Sequence, residues 1–168
     1  MSNGGKPRIV VLGGGFGGLE AAFYLRMRLR DRAHLTLVSD QDRFLFKPNT
    51  IYIPFGLDPE RLMISLEKPA RARNITFLQG RAREIDTANK QVLVDGQRLP
   101  YDFLIIATGA GMRAAEVPGL ENYARTIWTP QDMLGLRTAF ADLLDRAQAG
   151  RQQRVLFLVP PNNKCSGP

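Results

Sequence analysis

Three glycines at fixed spacing, Gly13-x-Gly15-x-x-Gly18, follow directly on the apolar run Ile9-Val-Val-Leu12. That spacing lets a chain wrap a pyrophosphate with its own backbone. Gly13 admits a tight bend, Gly15 lets the main chain approach the phosphates, and Gly18 lets a helix pack close to the strand. A helix that starts here turns its free N–H groups and positive dipole end towards an anion. The chemistry implied is the binding of a dinucleotide. Roughly 20 residues beyond Gly18 stand Ser39 and Asp40, where such a chain offers an acceptor to a ribose hydroxyl. Ser39 takes the usual acidic slot and Asp40 sits one residue later, so either side chain, or both, can make that contact.

These residues need a βαβ unit of ~30 residues to hold them. Ile9 to Leu12 supplies the first strand, Leu19, Ala22, Phe23, Leu25 and Leu29 give the helix a buried face, and Leu35 to Val38 reads as a parallel strand. Residues 41–58, with their prolines, glycine and aromatics, read as an irregular loop. Beyond it the pattern predicts a short helix from Glu60 to Lys68 stopped by Pro69, and a strand from Asn74 to Leu78. Between Ala82 and Asp102 the alternation in Gln91-Val-Leu-Val94 and the turn Asp95-Gly96 predict a small antiparallel meander. A buried strand from Asp102 to Ala107 then runs into Thr108-Gly109. The helix Pro130–Ala149 carries its own signals: Thr129 to cap it, Pro130 at its first position, Asp132 in its first turn and Gly150 to stop it.

A last strand is expected at Val155–Val159, opening a second βα unit whose helix does not follow, which reads as the N-terminal part of a longer protein. The expected fold is α/β: a Rossmann-like three-layer domain with a parallel sheet and a small antiparallel meander. The expected division is a nucleotide-binding portion at 1–110, then a connecting helix and the start of a second, incomplete domain at 111–168.

With 168 residues and 44% hydrophobic content, the chain can bury a sizeable core. Its net charge of +7 comes mostly from arginine, including Arg26, Arg28, Arg30 and Arg32 at the end of the first helix. They read as a solvated helix end near the negative dipole pole, with attraction to anionic cofactors, substrates or a membrane surface as the sharper alternative. No aromatic-and-basic recognition motif accompanies the charge, so nucleic acid is not an expected partner. No basic segment followed by an apolar stretch opens the chain, and no apolar run approaches the ~20 residues that span a bilayer. Cys165 is the single cysteine, which excludes an internal disulfide. The expected location is the cytoplasm, with peripheral attachment to a membrane as the variant.

Taken in order, the glycine turn with Gly-Gly-Gly-Phe-Gly-Gly-Leu-Glu, the segment Phe44-Leu-Phe-Lys-Pro48 and Tyr101-Asp-Phe-Leu-Ile-Ile-Ala-Thr-Gly-Ala110 resemble the FAD-dependent pyridine nucleotide-disulfide oxidoreductases. Within them the chain looks most like sulfide:quinone oxidoreductases, type II NADH dehydrogenases and their flavocytochrome relatives. The resemblance implies FAD as cofactor. It gives Gly13, Gly15, Phe16, Gly17 and Gly18 to the pyrophosphate turn and Ser39 and Asp40 to the adenosine ribose. Lys47 and Pro48 would lie against the flavin end, Arg81 and Ala82 would meet the adenine through their backbone, and Ala107, Thr108 and Gly109 would pass close to the FAD. Gly109 suits a tight strand exit beside a ligand, and Lys47 is a cation that can stabilise a reduced, anionic flavin. Phe44, Phe46 and Phe55 read as core packing.

The chain departs from this pattern twice. Reductases that use NADH carry a second glycine fingerprint where this chain has Pro160-Pro-Asn-Asn-Lys-Cys-Ser-Gly-Pro168, and two prolines remove N–H donors from that turn. The segment instead resembles the Cys-x-Gly-Pro element of sulfide:quinone oxidoreductases, which implies Cys165 as a sulfur-carrying thiolate, its pKa lowered beside Lys164. Those enzymes commonly carry another cysteine where this chain has Ile127-Trp128-Thr129. The expected function is therefore the FAD-binding segment of an oxidoreductase that passes electrons from a reduced sulfur donor, through FAD, to quinone or another acceptor. The alternatives are an NAD(P)H-dependent flavin dehydrogenase and a non-catalytic nucleotide-binding fragment.

Overall fold

The computed structural model describes residues 5–158, and within them alternation along one strand builds two cores. Strand β1 (Arg8–Leu12) lies between β2 (His34–Ser39) and β9 (Phe103–Ile106), and β2 in turn pairs with β5 (Thr76–Gln79). All three pairings are parallel. Successive side chains of a strand point to opposite faces. Ile9 and Val11, in register with Leu35 and Leu37, face helix α1 (Phe16–Leu29) and helix α2 (Glu67–Ala72), burying Ala22, Ala70 and Ile75 with them. Val10 and Leu12 face the other way with Val38, onto Val92, Val94 and Tyr101.

That second face is covered by the meander β6 (Ala82–Asp86), β7 (Gln91–Val94) and β8 (Gln97–Pro100), antiparallel throughout. Helices, parallel sheet and meander are the three expected layers. Covering on both faces explains why β1 reads as a continuous apolar run and not as an alternating one.

Four expectations are corrected. The predicted helix Glu60–Lys68 is a 3-10 turn (Pro59–Leu62) followed by β4 (Met63–Ser65), which pairs antiparallel with β3 (Arg43–Leu45). Backbone pairing with a partner distant in sequence outweighs the local helical pattern. Pro69 does not stop a helix but sits at the third position of α2, where its absent N–H would have had no partner in the helix. Strand β9 is not buried: Phe103 and Ile106 are each 61% exposed, because β9 has a strand neighbour on one side only among the described residues. Residues 155–158 form no strand and leave Leu156 and Phe157 exposed. Val159 lies outside the described residues.

The loop at 41–58 holds β3 and a 3-10 segment, Lys47–Phe55. After the short helix α3 (Leu120–Tyr123), helix α4 (Pro130–Gln148) packs on that segment through Met133, Ile53 and Leu62. Its start is a full capping box: Thr129 Oγ1 accepts from the Asp132 N–H, and the Asp132 carboxylate accepts from the Thr129 N–H at 2.8 Å. The arginines at the end of α1 are not simply solvated. Arg26 donates to the carbonyls of Ala33, at 3.3 Å, and Asn74, at 2.7 Å, and Arg32 to those of Leu29 and Arg28. They satisfy the carbonyls of the helix end and its neighbours directly.

Candidate functional site

The carboxyl end of β1 is crowded at Gly13, Gly14 and Gly18 and open at Gly15. Gly13 has φ +114°, and a Cβ there would stand 2.2 Å from the carbonyl oxygen of Ala107. A Cβ on Gly18 would stand 1.8 Å from the carbonyl oxygen of Gly13, so the first turn of α1 rests on the bend itself. A Cβ on Gly14 would collide with Ser39 Oγ at 2.7 Å and Leu66 at 2.6 Å. Gly17 is looser, with Ala107 Cβ at 3.7 Å. Gly15 alone of this run faces open space, with nothing within 4 Å of a Cβ. It is the N-cap of α1 and offers no side-chain cap, and the first turn of α1 holds no acidic residue. An uncapped helix start with a clear approach leaves its first N–H groups open to an anion.

The other expected residues gather round this turn to differing degrees. Ser39 is buried at the end of β2, and its Oγ accepts the Gln41 N–H at 3.2 Å. Asp40 is exposed just outside. The Ser39 carbonyl accepts from Gly80 N–H at 2.8 Å, which brings Arg81 and Ala82 to the same edge. The Arg81 N–H, however, is already donated to Asp95 Oδ2 at 2.9 Å, and its carbonyl accepts from Asp95 N–H. That hydrogen bond first, and the Arg83 guanidinium after it, hold the Asp95 carboxyl below the usual aspartate range.

Ala107 donates its N–H to the Leu12 carbonyl at 2.8 Å, and its own carbonyl stands over Gly13. Thr108 and Gly109 are exposed beyond it, Gly109 with φ +75° as a tight strand exit requires.

Phe16 ties the distant Phe-Lys-Pro segment to the glycine turn. Its ring meets Phe44 edge-on at 4.8 Å and Phe46 at 5.8 Å. Phe44 is buried, in keeping with core packing, whereas Phe55 is 77% exposed. Lys47 and Pro48 are exposed next to that aromatic cluster, and Lys47 Nζ stands 4.3 Å from the centre of the Trp128 ring. Cys165 lies outside the described residues.

Residues 7–155 match the family described as pyridine nucleotide-disulphide oxidoreductase. The chain belongs to this family. Its members are FAD-dependent oxidoreductases, so family membership brings FAD as the cofactor.

The sulfide-quinone reductase of Aquifex aeolicus is 31% identical over 162 residues, covering 95% of this chain and 36% of that protein. A type II NADH:quinone oxidoreductase of Mycobacterium tuberculosis is 31% identical over 172 residues, covering 93% of this chain and 35% of the relative. Among solved structures, the sulfide:quinone oxidoreductase of Aquifex aeolicus superposes with a TM-score of 0.77 at 30% identity, over 83% of this chain and 32% of that one. NDH2 of Plasmodium falciparum in complex with NADH gives 0.68 at 27% identity, over 85% and 30%. The chain thus spans about a third of the length of these relatives.

The residues present fit an FAD pyrophosphate. Open space lies where a Cβ on Gly15 would project, and no carboxylate stands in the first turn of α1 to repel the phosphates.

Three contributors escaped the sequence pattern. Gly14 was hidden in plain view within the Gly-Gly-Gly run; Asp95 read only as a turn residue. Arg137 of α4 donates through Nε to the Ile53 carbonyl at 2.7 Å and through Nη2 to that of Leu57 at 2.6 Å, clamping the Lys47–Phe55 segment. Its sole signal was a basic residue in the middle of an amphipathic helix.

Proposed function

We propose that the chain is the FAD-binding part of a quinone-reducing flavoenzyme of the sulfide:quinone oxidoreductase type. The observation that carries the FAD site is the open Gly15 at an uncapped helix start. In this reading Gly13, Gly15, Phe16, Gly17 and Gly18 hold the pyrophosphate. Ser39, with Asp40 outside it, holds the ribose, Arg81 and Ala82 border the adenine, and Ala107, Thr108 and Gly109 line the approach. Lys47 and Pro48 meet the flavin end, where Lys47 places a positive charge against a reduced, anionic ring. Because the Arg81 N–H is engaged by Asp95, the adenine edge falls to Ala82. FAD, when bound, supplies two-electron transfer between donor and quinone.

In this reading residues 1–110 form the cofactor-holding portion, and residues 111–168 supply a connecting helix and the start of a second, incomplete nucleotide-binding-like domain. Cys165, beside Lys164, serves as a thiolate that carries sulfur from a reduced sulfur donor. Among the described residues no helix is long and apolar enough to cross a membrane. In this reading contact with quinone comes from peripheral attachment to a membrane surface.

The second reading is a type II NADH dehydrogenase, favoured by the relative of Mycobacterium tuberculosis at the same 31% identity. Anaerobic stopped-flow reduction of the FAD-loaded protein separates the two. Bleaching of the flavin by sulfide and not by NADH supports the sulfur reading; the reverse result replaces it with the second. A purified protein that takes up no FAD on reconstitution overturns both.

A further inference from the structure

Lys47 is exposed, and a lysine side chain left free forfeits rotamer entropy when it is ordered. Something must hold it if it is to act at one place. Among the described residues no carboxylate is paired with it; the ion pairs join other side chains. What faces it is the Trp128 ring, with the ammonium 4.3 Å from its centre. Tryptophan is the strongest aromatic partner for a cation. Unlike a carboxylate, the ring orders the ammonium without neutralising it.

The backbone that follows Trp128 is fixed. The neighbouring Thr129 closes the capping box with Asp132, and Met133, one turn on, is buried against Ile53 and Leu62. Arg137 then ties the same helix to the carbonyls of Ile53 and Leu57. The helix that follows Trp128 is therefore fastened at two points, Met133 and Arg137, to the segment that begins with Lys47 and the residues just after it.

We infer that Trp128 is a positioning residue that holds the Lys47 ammonium, charge intact, at the flavin end of the cofactor site. This rests on the proposal that Lys47 meets the flavin, and the test keeps the two apart. First, the FAD-free protein is treated with an amine-acetylating reagent and Lys47 labelling is followed by peptide mass spectrometry. Trp128→Leu raises the labelling rate severalfold, and Trp128→Phe, which keeps a ring face, stays close to the wild type.

Second, FAD-loaded protein is titrated for its midpoint potential. Trp128→Leu and Lys47→Met each weaken the preference for reduced over oxidised FAD by about tenfold, roughly 30 mV for a two-electron couple, and the double variant goes no further. Unchanged labelling in Trp128→Leu overturns the positioning role. Faster labelling with an unchanged potential in both single variants overturns the placement of Lys47 at the flavin while leaving the pair intact. Should Trp128→Leu fail to fold, Lys47→Met decides. It shifts the emission of Trp128, the sole tryptophan of these 168 residues, and an unshifted spectrum overturns the pairing.

Discussion

A methyl group on Gly13 would lie 2.2 Å from the carbonyl oxygen of Ala107. Two segments more than ninety residues apart in the chain are thus joined at van der Waals limits. The nucleotide turn is shaped from outside, by the strand beside it, as much as by its own glycines.

Gly13→Ala and Gly15→Ala should consequently fail in different ways. The first places a side chain at φ +114° against main chain and should cost more than about 2 kcal/mol in urea denaturation. The second meets nothing within 4 Å and has an ordinary φ of −83°, so it should fold with a loss of at most about 1 kcal/mol at the N-cap. It should still lose most of its FAD affinity, because the new methyl occupies the phosphate approach. Equal effects of the two on stability would contradict this division.

Arg137→Ala removes a guanidinium that serves the Ile53 and Leu57 carbonyls. Hydrogen bonds to a charged group contribute about 1.5–3 kcal/mol each, so losing two of them should cost about 3 kcal/mol or more. Limited proteolysis should then cut first within 47–57. Arg137→Lys, a point charge without the fork, should recover only part of the loss.

Protonation of Asp132 should loosen the start of α4. Partial burial pushes its carboxyl up, but hydrogen bonds from the Thr129 side chain and backbone outweigh this and hold it below the usual aspartate range. A depressed folded-state pKa contributes stability that is present above the unfolded value of about 3.9 and is lost as pH falls through the lower folded value. The urea midpoint should therefore fall below about pH 4, and Asp132→Asn should flatten this part of the profile. Thr129→Ala should cost about 1 kcal/mol at neutral pH.

Cys165→Ser tests the sulfur chemistry directly. A hydroxyl is a far weaker nucleophile than a thiolate at neutral pH, so sulfide-driven flavin reduction should disappear while FAD stays bound. Wild-type reduction rates in the serine variant would reduce Cys165 to a structural residue.

The layers and the glycine turn were legible because each is written locally. Ile9 to Leu12 with Gly13, Gly15 and Gly18 is a continuous signal, and Thr129, Pro130 and Asp132 announce α4 within four residues. What was not legible depends on partners distant in the chain. Met63–Ser65 turned extended because Arg43–Leu45 lies beside it, and Phe103–Ile106 reads as buried until its place at the edge of the sheet is known. Arg137 and Trp128 look like ordinary helix and loop residues until the Lys47–Phe55 segment is brought against them. No spacing rule points to Lys47, Arg81 or Thr108, whose link to FAD comes from family resemblance alone.

The central place of β1 has a consequence for how the chain is made. Its pairing with β2 needs only residues 34–39, but its other side waits for Phe103, in register with Ile9. At synthesis rates of about 5–20 residues per second, β1 stands half-paired for several seconds, with apolar residues on both faces and one edge bare. Non-local closure of this kind is slow. Pulse-labelled amide exchange during refolding should accordingly find the β1–β2 amides protected before those of Phe103–Ile106, and simultaneous protection would contradict this order of assembly. The nucleotide turn, which needs the Ala107 carbonyl above Gly13, should be among the last parts of the molecule to take shape.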